Sequence, residues 1–259
     1  MKNINKIILI VFITLICSKA YNAEVKKELL TTDWSFKGFT GTYDRAALQR
    51  GYQVYTEVCA SCHSMQYLSY RNLYEKGGPE FSESEAKAIA SKFEVTDGPN
   101  SEGEMFSRPA KLSDKFVKPY QNDQEAKLSN GGAYPPDMSV LVKARKGGAD
   151  YIYSVLLGYD DPPENMVIED GVYYNTYMPG NKIMMPKVLS EGLVEYNDGT
   201  IATEEQMSKD VVSFLAWAAE PHLEERHKIG FKAIIYLIIL TIFVYFSMKK
   251  LWSRIESEV

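Results

Sequence analysis

The amino-acid sequence predicts a mainly α-helical protein, in which an exported domain precedes a single C-terminal transmembrane helix. Three observations predict this architecture. The N-terminus has the layout of a secretory signal, two segments carry apolar residues at helical spacing, and an apolar run of 20 residues lies near the C-terminus. The roughly 200 residues between signal and apolar run are enough for one substantial domain.

The N-terminal segment predicts export. Two lysines precede an apolar run at 7–17, which is short for a membrane span, and small residues follow it. We therefore expect residues 1–23 to form a cleaved signal peptide, with cleavage after Ala20 or Ala23. Cleavage would remove Cys17 and leave two of the three cysteines in the exported chain.

The first predicted helix begins near Thr42 or Asp44 and carries an apolar stripe that leads to residue 58. Gly51 lies inside it, where glycine costs up to ~1 kcal/mol relative to alanine. We expect a second helix to approach closely at this position, with Phe214 or Trp217 packed over Gly51.

The second predicted helix begins at Thr203, which forms a capping box with Gln206. Its apolar residues recur at helical spacing as far as Ala218, and Pro221 follows its end.

The region between these helices is less regular. Residues 131–163 predict two short helices, broken at Gly147-Gly148 and closed by Gly158, and a Gly/Pro-containing loop follows at 171–188. The polar, weakly periodic stretch 77–130 predicts an insertion without assignable elements.

The apolar run at 229–248 is long enough to cross a membrane as a helix of about 30 Å. Lys232 is its only charged residue, and basic residues follow it at once. By the positive-inside rule we expect the tail, 249–259, to lie in the cytoplasm and the domain at 24–228 in the periplasm.

That domain carries 22 basic and 32 acidic residues, a net charge of about −10. Such a field disfavours nucleic acid and favours a basic protein partner.

The string "CASCH" at 59–63 is the strongest chemical motif in the chain. A structural zinc site needs four ligands, and a thioredoxin-like site gives no role to the histidine. Cys-x-x-Cys-His is the spacing of c-type haem attachment, in which both sulfurs are bonded to the haem and the imidazole binds the iron. The sequence therefore predicts one haem c, attached through Cys59 and Cys62, with His63 as an axial ligand. The two predicted helices would then cross as in a cytochrome c-like domain with long loop insertions.

The second axial ligand decides between an electron carrier and an open, reactive iron. His222 and His227 adjoin the apolar run and are expected at the surface near the membrane. A methionine ligand needs a rigid loop, which 178–186 provides. Spacing alone leaves Met178, Met184 and Met185 as candidates.

Four strings carry a resemblance to a known family. These are "ALQRGYQVYTEVCASCHSMQYLSYRNL" (47–73), "YPPDMSVLVKARKGGADYIYSVLLGY" (134–159), "YNTYMPGNKIMMP" (174–186) and "DGTIATEEQMSKDVVSFLAWAAEP" (198–221). From about Trp34 to the C-terminus, the chain resembles cytochrome c1, the haem subunit of the cytochrome bc1 complex of bacteria and mitochondria.

The resemblance implies roles for individual residues. Met185 falls on the family's sixth-ligand methionine, beside Cys59, Cys62 and His63 at the attachment motif. Arg145 falls on an arginine that pairs with a haem propionate. The residues expected along the haem edge are Tyr134, Pro135 and Pro136.

The resemblance also implies a function and its partners. An electron would arrive from the Rieske iron–sulfur protein and leave to a cytochrome c, with cytochrome b as the membrane neighbour and no chemistry of the subunit's own. The short leader favours a bacterial inner membrane over a mitochondrial one. Two alternatives stay open: a c-type subunit of a terminal oxidase, and a haem enzyme or sensor with an open sixth site.

Overall fold

A computed structural model describes residues 27–164 and 166–256 of the chain; the expected signal peptide and its cleavage sites lie outside this range. The described part is mainly α-helical, as the sequence predicts, with short 3₁₀ turns and two small hairpins. The helices are α1 (Arg45–Glu57), α2 (Glu83–Ala90), α3 (Asp123–Ser129), α4 (Gly148–Leu157), α5 (Glu204–Ala219) and α6 (Leu223–Glu256). The strands pair as β1 (Glu94–Asp97) with β2 (Phe106–Pro109), and β3 (Tyr173–Tyr174) with β4 (Lys182–Ile183), both antiparallel.

Both predicted terminal helices form where the sequence placed them. Asp44 caps α1 by accepting hydrogen bonds from the backbone N–H groups of Ala46 and Ala47. Thr203 caps α5 by accepting the N–H of Gln206 at 3.1 Å. The predicted capping box is only half formed, because the Gln206 side chain donates to Asp210 at 2.9 Å instead.

Helices α1 and α5 cross in backbone contact at Gly51. A Cβ at this position would lie 2.1 Å from the carbonyl oxygen of Asp210 and 2.8 Å from the Cβ of Phe214. The expected close approach is confirmed, with Phe214 rather than Trp217 over Gly51. The Trp217 ring instead covers Gly78, where an added Cβ would lie 2.8 Å from it.

A buried ion pair fixes this crossing. The Arg50 guanidinium donates to both carboxylate oxygens of Asp210, at 2.8 and 3.0 Å, and to Asp198 at 2.8 Å. The Asp210 side chain is 1% exposed. Removing one partner of such a pair typically costs about 3–5 kcal/mol, since the other charge stays buried.

Two segments differ from the sequence expectation. Residues 131–146 form turns and irregular backbone rather than a helix, so α4 is the single helix of the 131–163 region. The stretch 77–130, for which the sequence predicted no elements, contains α2, the first hairpin and α3. Its end returns to the core, where the ring centroids of Phe116 and Tyr70 lie 4.9 Å apart.

Helix α6 contains the predicted span 229–248. Within the described chain, Leu223–Ser253 is the one helix segment whose length and composition suit a membrane crossing, and none of its most apolar window is buried. Glu224 ties its start to α1 through two hydrogen bonds from Arg45, at 2.7 and 2.9 Å, and one from the Tyr43 N–H at 2.9 Å.

We predict that Gly51→Ala lowers the free energy of unfolding by about 2–3 kcal/mol, because the new methyl group meets backbone that cannot rotate away. Chemical denaturation of the detergent-solubilised chain measures this change. Gly230→Ala is the matched control, because a Cβ built there meets no side chain and no other segment of the described chain within 4 Å. Equal stability of wild type and Gly51→Ala would contradict the proposed backbone contact.

Candidate functional site

The motif at 59–63 forms a tight turn directly after α1. The N–H groups of Cys62 and His63 both donate to the carbonyl of Cys59, at 3.1 and 2.9 Å. Both cysteines are free thiols and half-buried, and burial raises the pKa of the Cys59 thiol to about 12. The turn thus brings two unpaired thiols and an imidazole together within five residues.

The imidazole of His63 is oriented by a backbone carbonyl. Its Nδ1 lies 2.8 Å from the carbonyl oxygen of Pro136, which can only accept a hydrogen bond. Nδ1 therefore carries the proton, and Nε2 keeps its lone pair. Burial lowers the pKa of His63, which favours the neutral ring. A neutral imidazole with one nitrogen hydrogen-bonded and the other free is the form that ligates a metal.

Asp137 fastens the Pro136 segment to the chain that follows His63. Its carboxylate accepts hydrogen bonds from the Ser64 hydroxyl at 2.8 Å, the Gln66 N–H at 2.9 Å and the Ser139 N–H at 2.8 Å. Burial alone would raise the pKa of Asp137, but these hydrogen bonds outweigh it and lower the pKa below the usual aspartate range. Sequence reasoning missed this residue, although an Asp bonded to the N–H two residues later is a recognisable turn signal.

The three candidate methionines have different surroundings. Met184 is 43% exposed, whereas Met185 is half-buried against the core and its carbonyl accepts the Tyr159 hydroxyl at 2.9 Å. The sulfur of Met178 accepts a hydrogen bond from the Tyr151 hydroxyl at 3.5 Å. Met185 is therefore the member of the set whose position is held by the core and whose sulfur carries no hydrogen bond in the described chain.

A buried asparagine shapes the loop that leads to Met185. Asn175 is fully buried and donates from its side chain to the Val155 carbonyl at 2.8 Å, at the end of α4. Its side-chain oxygen accepts the N–H groups of Tyr177 and Met178, at 3.1 and 3.2 Å. Sequence reasoning missed Asn175: its bonds to Tyr177 and Met178 are a local turn signal, but its contact with Val155 lies 20 residues away and no local pattern marks it.

The remaining expected site residues are at the surface. Tyr134 is 46% exposed and Pro135 half-buried, beside the Pro136 carbonyl that meets His63. Arg145 is exposed and donates to the carbonyl of its neighbour Ala144 at 3.1 Å. An exposed guanidinium on a turn is free to reorient toward an anionic group.

Comparison with known proteins identifies the family of the chain. The model of the Cytochrome C1 family matches residues 34–255. "Cytochrome c1 2, heme protein, mitochondrial" of Arabidopsis thaliana is 50% identical over 93% of this chain and 78% of its own length. "Cytochrome b-c1 complex catalytic subunit, mitochondrial" of Candida albicans is 47% identical over 87% of this chain and 78% of its own length. "Cytochrome b/c1" of Bradyrhizobium diazoefficiens is 47% identical over 85% of this chain and 35% of its own length.

We predict that Asp137→Ala destabilises the protein by about 2–4 kcal/mol at neutral pH, since it leaves the partly buried N–H groups of Gln66 and Ser139 without their acceptor. Denaturant unfolding measures the loss. Asp161→Ala, a change at an exposed loop carboxylate, serves as the control and should alter stability by less than about 0.5 kcal/mol. A loss no greater than that of the control would show that the hydrogen bonds to the Asp137 carboxylate contribute nothing to stability.

The lowered pKa of Asp137 also predicts a pH dependence. A carboxylate with a depressed folded-state pKa contributes stability that is fully present above its ordinary pKa of about 4 and is lost as pH falls through the folded value. The stability gap between wild type and Asp137→Asn should therefore be constant near neutral pH and shrink below about pH 4. Unfolding curves recorded from neutral to acidic pH test this, and a gap that widens on acidification would contradict it.

Proposed function

The chain belongs to the cytochrome c1 family, the haem subunit of the bc1 complex, and we propose that it passes electrons from the Rieske iron–sulfur protein to a cytochrome c through one covalently bound haem c. The observation that carries this proposal is the His63 imidazole. Its Nδ1 is held by the Pro136 carbonyl while Nε2 is left for iron, next to two free thiols. The haem, when bound, supplies a centre that gains and loses one electron.

Cys59 and Cys62 would attach the cofactor as thioethers. Each cysteine would supply one S–H for addition across a vinyl C=C bond of the haem, with sulfur bonding to one carbon and the hydrogen to its neighbour, an addition that needs no oxidant. The shared acceptor at the Cys59 carbonyl holds the turn from Cys59 to His63, so the thiols and the imidazole keep one relative arrangement. These contacts support a site prepared before the haem arrives.

Met185 is the proposed sixth ligand. Its half-buried position and its anchored carbonyl support this choice over the exposed Met184. Histidine–methionine ligation raises the reduction potential above that of a bis-histidine haem and closes the iron to external ligands. Both properties suit an electron carrier without chemistry of its own.

The surface residues complete the proposal. Arg145 would pair with a haem propionate, a charge-assisted interaction that suits a guanidinium. Tyr134, Pro135 and Pro136 would line the haem edge, where Pro136 already contacts the imidazole.

Membrane attachment and partners follow from the helix and the charge. We propose that α6 anchors the chain in a bacterial inner membrane beside cytochrome b, with the domain at 24–228 in the periplasm and the tail at 249–259 in the cytoplasm. Residues 231–248 of α6 are predominantly apolar, with Lys232 their only charged residue, and are exposed on all sides, which supports a lipid or protein neighbour in the membrane. The net charge of about −10 on the domain favours fast, salt-dependent encounter with a basic cytochrome c.

Two alternative functions make different predictions. A terminal-oxidase subunit would co-purify with a copper or high-spin haem partner instead of cytochrome b and the Rieske protein. A haem enzyme or sensor with an open sixth site would bind carbon monoxide readily in the reduced state. The polar network that holds the Met185 loop favours the six-coordinate carrier over this second alternative.

We predict that Met185→Leu strongly lowers the reduction potential and lets the reduced protein bind carbon monoxide, because leucine has no donor atom for the iron. Redox titration and carbon monoxide difference spectra of the membrane-extracted protein measure both effects. Met184→Leu is the control at the adjacent, exposed position and should leave both nearly unchanged. A larger effect of Met184→Leu than of Met185→Leu would assign the sixth ligand to Met184 instead.

A further inference from the structure

The N-terminal strap, residues 27–37, lies along helix α4. Residues 27–34 form no helix or strand of their own. The strap is held instead by polar contacts to α4: the Leu30 N–H donates to the Ser154 hydroxyl at 2.9 Å, and the Trp34 indole N–H donates to Asp150 at 2.6 Å. Lys37 adds an ion pair to Asp150 at 2.7 Å. These contacts are four residues apart on α4, so they lie on one face of the helix.

Apolar packing reinforces these bonds. Trp34 is 4% exposed, and its ring meets Tyr153 edge-on at 5.8 Å. Leu29 packs at the start of α4, where a Cβ on Gly147 would lie 2.6 Å from the leucine methyl group. The contacts of the strap thus extend from Gly147, the N-cap of α4, to Ser154 in its second turn.

The opposite end of α4 carries the loop that presents Met185. The Val155 carbonyl accepts the Asn175 side chain at 2.8 Å, and the Gly158 carbonyl accepts the Thr176 N–H at 2.8 Å. Tyr159, the next residue, donates to the Met185 carbonyl at 2.9 Å. A displacement of α4 would therefore move the loop both at its start, Asn175 and Thr176, and at Met185 itself.

The strap also reaches this loop directly. The ammonium group of Lys27 lies 5.2 Å from the centre of the Tyr177 ring, within the range of a cation–π contact. The same ring is confined by Gly158, where a Cβ would lie 2.6 Å from it. The strap therefore contacts the loop at one end and its supporting helix along the remainder.

We propose that the N-terminal strap is a positioning element for the Met185 ligand. It holds α4 in the one position from which the Asn175 and Tyr159 contacts present Met185 toward the haem. This inference rests on the proposed function, since it needs Met185 as the sixth ligand. The strap contacts neither His63 nor the cysteines through any hydrogen bond of the described chain, so its effect should be confined to the sixth position.

Carbon monoxide competes with the sixth ligand and reports its position. The apparent dissociation constant of a ligand equals its intrinsic constant divided by the fraction of protein in the binding-competent, open form. Loss of the Leu30–Ser154 and Trp34–Asp150 hydrogen bonds should raise that open fraction by roughly tenfold, with about 0.5–1 kcal/mol for each bond.

The experiment measures carbon monoxide affinity of the reduced, full-length, membrane-extracted haem protein. The test variant is Trp34→Phe/Ser154→Ala, which removes one donor and one acceptor while keeping both residues buried. We expect it to bind carbon monoxide about tenfold more tightly than wild type. Lys27→Ala, a change at an exposed residue that cannot disturb the core, should tighten binding about threefold. Thr31→Ala, at an exposed strap position, is the matched control and should match wild type.

The same strap substitutions, introduced into the Met185→Leu variant, show whether their effect on carbon monoxide affinity acts through Met185. Once the methionine is gone, the strap substitutions should cause no further tightening. Equal affinities of wild type and all strap variants would overturn the inference, as would equal tightening in both backgrounds. A wild type that binds carbon monoxide as tightly as Met185→Leu would overturn the proposed function itself. If the wild type binds carbon monoxide weakly and the strap variants bind it equally weakly, only the proposed role of the strap is overturned.

Discussion

The backbone contact between α1 and α5 at Gly51 is the constraint on which the rest of the domain depends. With Gly51 against the Asp210 carbonyl and Arg50 bonded to the Asp210 carboxylate, the two helices have one crossing point and one register. Helix α1 ends at Glu57, two residues before the attachment motif. The crossing therefore fixes where the two thiols and His63 emerge from the core. The Tyr55 hydroxyl, on α1, also donates to the His63 carbonyl at 3.3 Å and so ties the motif to the helix.

The partners of the motif come from irregular segments that buried polar side chains hold in place. Asp137 joins the segment 134–139 to the residues after His63. Asn175 joins the loop that carries Met185 to α4. Functional residues often lie on loops supported by a rigid scaffold. Here the helices supply the scaffold, and each loop depends on one multiply bonded side chain, so a single substitution can loosen a ligand without unfolding the domain.

The sequence was informative where the determining signal is local. The apolar stripe, the Asp44 and Thr203 caps and the glycine at position 51 predicted α1, α5 and their close approach, and the family resemblance is confirmed by the match over 34–255. The sequence predicted a helix within 131–146, where turns and irregular backbone form instead. There the Asp137 carboxylate accepts the backbone N–H of Ser139, which competes with helical hydrogen bonding. The Asn175–Val155 bond and the Leu30–Ser154 bond of the strap join residues 20 and 124 apart, which no local pattern records.

The central claim is that His63 and a methionine sulfur together complete the coordination of a c-type haem. X-ray absorption at the iron edge of the purified wild-type protein tests it most directly, because sulfur and nitrogen neighbours scatter differently. The account predicts one sulfur neighbour bonded to iron, which disappears in Met185→Leu and persists in Met184→Leu. A first coordination shell of nitrogen alone, or a five-coordinate iron in the wild type, would contradict it.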